Sequence, residues 1–145
     1  MSGKWFENFK EFYRTELIKM NIFKTNLKKR IIPIILVKDY QVVKSRRFDD
    51  FRVFGNLEQT ITVFNNRNVD EIAIFDIDAS KKKLGVNLEI LENLSKNNIM
   101  PLSYGGGIST IKDIELCLKH GCDKVVINSK SLSDINFIKE ASKVF

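Results

Sequence analysis

The chain has 145 residues, of which 43% are hydrophobic and 29% charged, with a formal net charge of +6. That length suffices for one domain with its own core, and 7 Gly and 2 Pro exclude a low-complexity or collagen-like chain. No run approaches the roughly 18 apolar residues that would cross a bilayer, and the N-terminal residues lack the apolar segment of a signal peptide, so a cytoplasmic protein is expected.

Residues 4–20 place Trp5, Phe6, Phe9, Phe12, Tyr13, Leu17 and Met20 three and four apart. This spacing predicts an amphipathic helix in an N-terminal extension, residues 1–28. Ile31–Val37 is apolar on both faces, as a buried parallel strand is. Lys38–Asn56 reads as a long polar loop carrying Lys44, Arg46, Arg47 and Arg52, and loops of this length in compact domains are usually functional. A helix is expected over Leu57–Asn66 and a strand over Glu71–Ile77. A helix over Val86–Lys96, a strand over Met100–Tyr104 and a helix over Ile111–Lys119 follow. The series closes with a strand over Lys124–Asn128 and a helix over Leu132–Ser142.

Four strand–helix units in succession predict an α/β fold with right-handed parallel crossovers, half of a (β/α) barrel over residues 29–145. In such barrels the active site lies at the C-terminal ends of the strands. Gly105-Gly106-Gly107, followed by Ser109 and Thr110 at a helix start, suits an anion, because glycine lets the backbone approach a phosphate and the helix N-terminus presents N–H groups. Asn128 and Ser129 on the next strand can add donors; a simple packing turn is the competing reading. Asp76 is expected to be the pocket-facing carboxylate, with Asp78 capping a helix or lying in the loop.

The basic clusters Lys28-Lys29-Arg30 and Lys81-Lys82-Lys83 lack the interleaved aromatics of a base-stacking platform. They read as solvated charges or phosphate attractors, not as a nucleic-acid surface. Cys117, His120 and Cys122 have metal-like spacing, but a structural zinc site wants four ligands. They read instead as two half-buried thiols and a surface imidazole beside Gly121, which is placed to end a helix. No metal and no cofactor are expected.

Taken in order, Arg30-Ile31-Ile32-Pro33, Val37-Lys38-Asp39, Val42-Val43-Lys44, Phe75-Asp76-Ile77-Asp78-Ala79-Ser80, Gly105-Gly106-Gly107-Ile108 and Asp123-Lys124-Val125-Val126-Ile127-Asn128 resemble the cyclase subunit of imidazole glycerol phosphate synthase (HisF). The resemblance runs from about Lys29 to Phe145. It implies a (β/α)8 barrel of two similar halves, each with a phosphate site. It also implies a glutaminase partner docked at the bottom that feeds ammonia through the barrel, and acid–base work by two aspartates at the ends of strands 1 and 5.

Carried onto this chain, the resemblance makes Lys44 the loop lysine that closes over a phosphorylated substrate. Gly106, Gly107, Asn128 and Ser129 become the first phosphate site. Arg30, Glu71 and Lys124 become three of four charged residues that gate ammonia entry, with ordinary salt bridging as the plain alternative. Leu36 stands where the first aspartate is expected, and a leucine can neither take nor give a proton. The second aspartate would fall past Phe145, so no cyclisation by this chain alone is expected. Leu36 and the Asp-Ile-Asp-Ala-Ser run resemble a paralogous branch that passes ammonia for amidination of a surface-polysaccharide sugar. A histidine-pathway cyclase with a lost aspartate, and a non-catalytic half-barrel that binds a phosphate or a partner, stay open. A lone half-barrel would leave the edges of its first and fourth strands open, so either self-association into a pseudo-barrel or a longer native protein is expected.

Overall fold

The computed structural model describes residues 28–47 and 49–145. Its elements are β1 (Ile34–Lys38), β2 (Gln41–Arg46), β3 (Asp50–Asn56), α1 (Leu57–Asn66), β4 (Ile72–Asp76), α2 (Ala79–Lys82), α3 (Leu88–Asn97), β5 (Leu102–Gly105), α4 (Ile111–Lys119), β6 (Lys124–Val126), α5 (Ser129–Ser133) and α6 (Ile135–Val144). The helix expected over residues 4–20 lies outside the described residues.

One six-stranded sheet runs β3-β2-β1-β4-β5-β6. The pairs β1–β4, β4–β5 and β5–β6 are parallel, which makes four consecutive strands of a (β/α) barrel. The expectation of a polar loop over Lys38–Asn56 is corrected: β2 and β3 form an antiparallel hairpin there, and β2 pairs with β1 through Leu36↔Val43, Val37↔Val42 and Lys38↔Gln41. The edge of the first strand is therefore not open along that stretch. Val42 and Val43 are both buried, so the stretch carries enough apolar surface to pair on the sheet, despite the charges that make it read as a loop.

The register assigns each residue a side. Ile35, Ile74, Tyr104 and Val125 lie abreast on the helix-facing side, where they pack with Ile61, Leu91, Leu94 and Ile114 in the main apolar cluster. Ile34, Ala73, Ser103 and Lys124 lie abreast on the other side, and Leu36, Phe75, Gly105 and Val126 form a second row above them. In a closed barrel these rows face the axis. Here Ile34 is 64% exposed and Val126 is 40% exposed.

The helices begin where the side chains can cap them. The Asn56 side chain accepts from Glu58 N–H, and that of Asn87 from Ile90 N–H. Thr110 and Asp113 form a reciprocal capping box at the start of α4. The last expected helix divides into α5 and α6, because Asp134 is extended and its carboxylate accepts from Asn136 N–H to start a new helix. Helix α4 ends in a Schellman turn: Gly121 N–H donates to Leu118 O, Cys122 N–H donates to Cys117 O at 3.1 Å, and Gly121 has φ +87°.

Candidate functional site

The two ends of the parallel strands carry different chemistry. At the N-terminal end, Glu71 is 2% exposed, and its carboxylate gathers three partners. Ser103 Oγ donates to Oε1 at 2.6 Å. Lys124 Nζ donates to Oε2 at 2.5 Å, and Arg30 approaches the same oxygen at 3.5 Å. Hydrogen bonding from Lys124 and then Ser103 holds the Glu71 carboxyl below its ordinary range, against the opposing effect of burial. The three charged residues named from sequence thus meet at one buried carboxylate, which Ser103 also holds.

At the C-terminal end lies a cavity of about 650 Å³. The row Leu36, Phe75, Gly105 and Val126 forms its floor, and Asp76, Gly106, Gly107, Asn128 and Ser129 line its rim. Ser45 and Phe51 reach it from the hairpin, and Ser80 and Lys81 from α2. Lys81 belongs to the cluster read as solvated charges or phosphate attractors, whereas Ser45, Phe51 and Ser80 carry no signal of their own in the sequence, since the hairpin and the short helix that present them read as loop. Lys44 does not line the cavity. It is exposed and lies opposite Arg52, on the face of the hairpin away from Ser45.

Asp76 reaches the cavity from an unexpected direction. It shares the strand side of Ile72 and Ile74, which face the helices, so it is not one of the axis-facing row. Its Oδ1 folds onto the turn that follows and accepts from Asp78 N–H and Ala79 N–H, both at 3.1 Å. Burial pushes the Asp76 carboxyl up from its ordinary value, with those two bonds opposing. Asp78 lies in the turn as expected, but its side chain does not cap α2. It pairs with Lys82 at 2.6 Å, and Lys82 also reaches Asp39 at 3.2 Å, tying the β1–β2 turn to α2.

The glycine turn is dictated by packing before any ligand is considered. A side chain at Gly105 would strike the Phe75 ring, and Gly106, at φ +129°, passes against the Asp76 backbone. Gly107, at φ +72°, passes so close to the Gly85 carbonyl that no Cβ fits. Its N–H donates to Ser80 Oγ at 3.3 Å. Asn128 and Ser129 are both exposed beside it. A concave rim of backbone, hydroxyl and amide groups with Lys81 nearby can hold an anion. Leu36 offers the cavity no proton-transfer group.

Cys117 and Cys122 are buried, not half-buried, and His120 Nδ1 lies 2.9 Å from Leu116 O. Among the described residues, no group of three or more His, Cys, Asp or Glu could hold a metal ion, and no helix is long and apolar enough to cross a membrane.

The sequence model of the family described as histidine biosynthesis protein matches residues 30–145. A Campylobacter jejuni protein with the provisional name imidazole glycerol phosphate synthase subunit hisF2 is 50% identical over 119 residues, covering 82% of this chain and 48% of that protein. A Vibrio vulnificus protein of the same provisional name is 44% identical over 119 residues, covering 82% of this chain and 44% of its own length. Imidazole glycerol phosphate synthase subunit HisF of Staphylococcus saprophyticus is 41% identical over 119 residues, covering 82% of this chain and 47% of its own. The chain spans about half the length of the curated relatives it matches. With four parallel strands in barrel order and this match across them, the chain belongs to the histidine biosynthesis protein family, as a HisF-like cyclase-subunit relative.

Proposed function

We propose that residues 29–145 act as the N-terminal half of a HisF-like barrel that passes glutamine-derived ammonia to the amidination of a phosphorylated or polysaccharide-linked sugar, and that does not itself cyclise. The observation that carries this reading is the contrast between the two strand ends. One end has a buried carboxylate held by Arg30, Lys124 and Ser103. The other has Leu36 in the cavity floor, where cyclisation would need a proton-transfer group.

In this reading a glutaminase subunit docks against the Arg30–Glu71–Lys124 end, and the three side chains control entry to the barrel axis. Gly106, Gly107, Asn128 and Ser129 hold a phosphate at the opposite rim. Lys44 reaches that ligand only when the hairpin turns it inward. The exposed Ile34 and Val126 are covered in the working assembly by further barrel strands or by a second half-barrel.

The test uses the native gene product from its own host together with its glutaminase, supplied with glutamine and the phosphoribulosyl aminoimidazole nucleotide. Neither the wild-type protein nor Leu36→Asp is expected to form imidazole glycerol phosphate. Recovery of cyclisation by Leu36→Asp would replace this reading with that of a histidine-pathway cyclase that has lost one aspartate. The names of the staphylococcal relatives favour that second reading.

A further inference from the structure

The chain contains two cysteines, Cys117 and Cys122, and neither lines the cavity. Cys117 is in the last turn of α4 and Cys122 is the second residue beyond the helix cap. The Schellman hydrogen bond from Cys122 N–H to Cys117 O clamps their backbones at 3.1 Å. In this motif the side chains at those two positions meet in an apolar contact. Here both are thiols, and both are buried in the main apolar cluster. Cys117 is 0% exposed and Cys122 is 5% exposed, the latter next to the exposed Gly121 of the turn.

We infer that Cys117 and Cys122 form a dithiol–disulfide couple, a modification site that oxidised glutathione or a similar disulfide converts to an intramolecular cross-link. The local geometry favours an internal bond over two separate adducts, since the turn motif sets the two side chains against one another and the backbone between them is already closed.

Cys122 is the attacking thiol. It lies on the turn side, beside the exposed Gly121, and the neighbouring Cys117 thiol holds it below its ordinary range, whereas Cys122 and burial push Cys117 up. Cys122 loses its proton to solvent and its thiolate attacks one sulfur of oxidised glutathione, whose S–S bond breaks to release one glutathione thiolate. That thiolate takes the Cys117 proton. The Cys117 thiolate then attacks Cys122 Sγ, the protein S–S bond forms, and the second glutathione leaves as a thiolate that takes a proton from solvent. Two protein thiols are oxidised by two electrons, and one disulfide is reduced to two thiols.

The cross-link would join the end of α4 to the residue just before Asp123. Asp123 is already pinned to β5, with its N–H donating to Leu102 O at 2.9 Å and its carboxylate accepting from Leu102 N–H at 2.8 Å. Oxidation therefore braces helix to sheet at the start of β6.

The test is intact mass and peptide mapping of the whole native chain equilibrated with oxidised glutathione. The expected product is lighter than the reduced chain by two hydrogens, carries no glutathione, shows a Cys117–Cys122 linked peptide, and resists alkylation after denaturation until a reductant is added. Cys117→Ser should then keep one glutathione on Cys122. A wild-type chain that retains a stable glutathione adduct, or whose two thiols are still alkylated after oxidation and denaturation, overturns the inference. The wild-type measurement decides this even where the variant does not fold.

Discussion

Ser103 of β5 and Glu71, the residue just before β4, share a 2.6 Å hydrogen bond. The bond occupies the Glu71 oxygen that Lys124 does not. Ser103→Ala leaves Oε1 of a buried carboxylate without a partner, which is expected to cost about 1–3 kcal/mol. Ser103→Thr, which keeps the hydroxyl, should retain most of that. Urea denaturation of the three proteins checks this; equal stabilities for Ser103→Ala and wild type would remove the role assigned to the hydroxyl.

Glu71 also sets a pH dependence. Its folded-state pKa lies below the ordinary 4.5, so its ionised form stabilises the fold above that value, and the contribution is lost as pH falls from about 4.5 through the folded pKa. Glu71→Gln should lower stability at neutral pH and flatten the loss below pH 4.5. A denaturation series against pH, wild type beside Glu71→Gln, reads the difference.

Asp76 runs the other way. Burial raises its folded pKa above the ordinary 3.8, so its ionisation opposes folding, and stability declines as pH rises from 3.8 through the folded value. Asp76→Asn keeps an acceptor for the Ala79 N–H and removes the buried charge, so it should be neutral or stabilising at pH 7. Asp76→Ala removes the acceptor and should cost about 1–2 kcal/mol. A loss on Asp76→Asn as large as that on Asp76→Ala would show that the charge itself is needed.

The two-residue turn between β1 and β2 has Asp39 at φ +46° and Tyr40 at φ +63°. Such turns favour glycine or asparagine, and a bulky side chain there is strained. Tyr40 is 51% exposed, so its replacement gives up little burial. Tyr40→Gly is expected to stabilise the hairpin by about 0.5–1 kcal/mol, read as a higher denaturation midpoint.

Gly107→Ala places a methyl group against the Gly85 carbonyl at positive φ. A loss of about 2 kcal/mol or more is expected, together with movement of the loop past Ser80. A variant as stable as wild type would show that the Gly85 segment yields readily.

The elements most legible in the sequence were those with their own punctuation. The Thr110 cap and the Gly121 terminator delimit α4 at the bounds read from the residues, Ile111–Lys119. The apolar runs around Ile35, Ile74 and Leu102 announce strands of a parallel sheet because they carry apolar side chains on both faces, although Ile34 of the first run is exposed here. The hairpin was not legible. Its apolar positions are interrupted by Lys44, Arg46 and Arg52, and the register shift between Val42 and Val43 breaks the alternation by which a strand is recognised. The direction of Asp76 was equally hidden, since it depends on which side of β4 the helices cover.

By itself the sequence determined that the chain alternates strands and helices, that a glycine turn ends its third barrel strand, and that Leu36 brings no titratable group to the end of the first. Those properties are local, set by side-chain period, caps and residue chemistry. Only the tertiary structure decided that Arg30, Lys124 and Ser103 converge on Glu71, that Ser45 and not Lys44 borders the cavity, and that β2 covers part of the β1 edge. Each of these depends on strand register, and a slip of one residue would reverse every facing side chain.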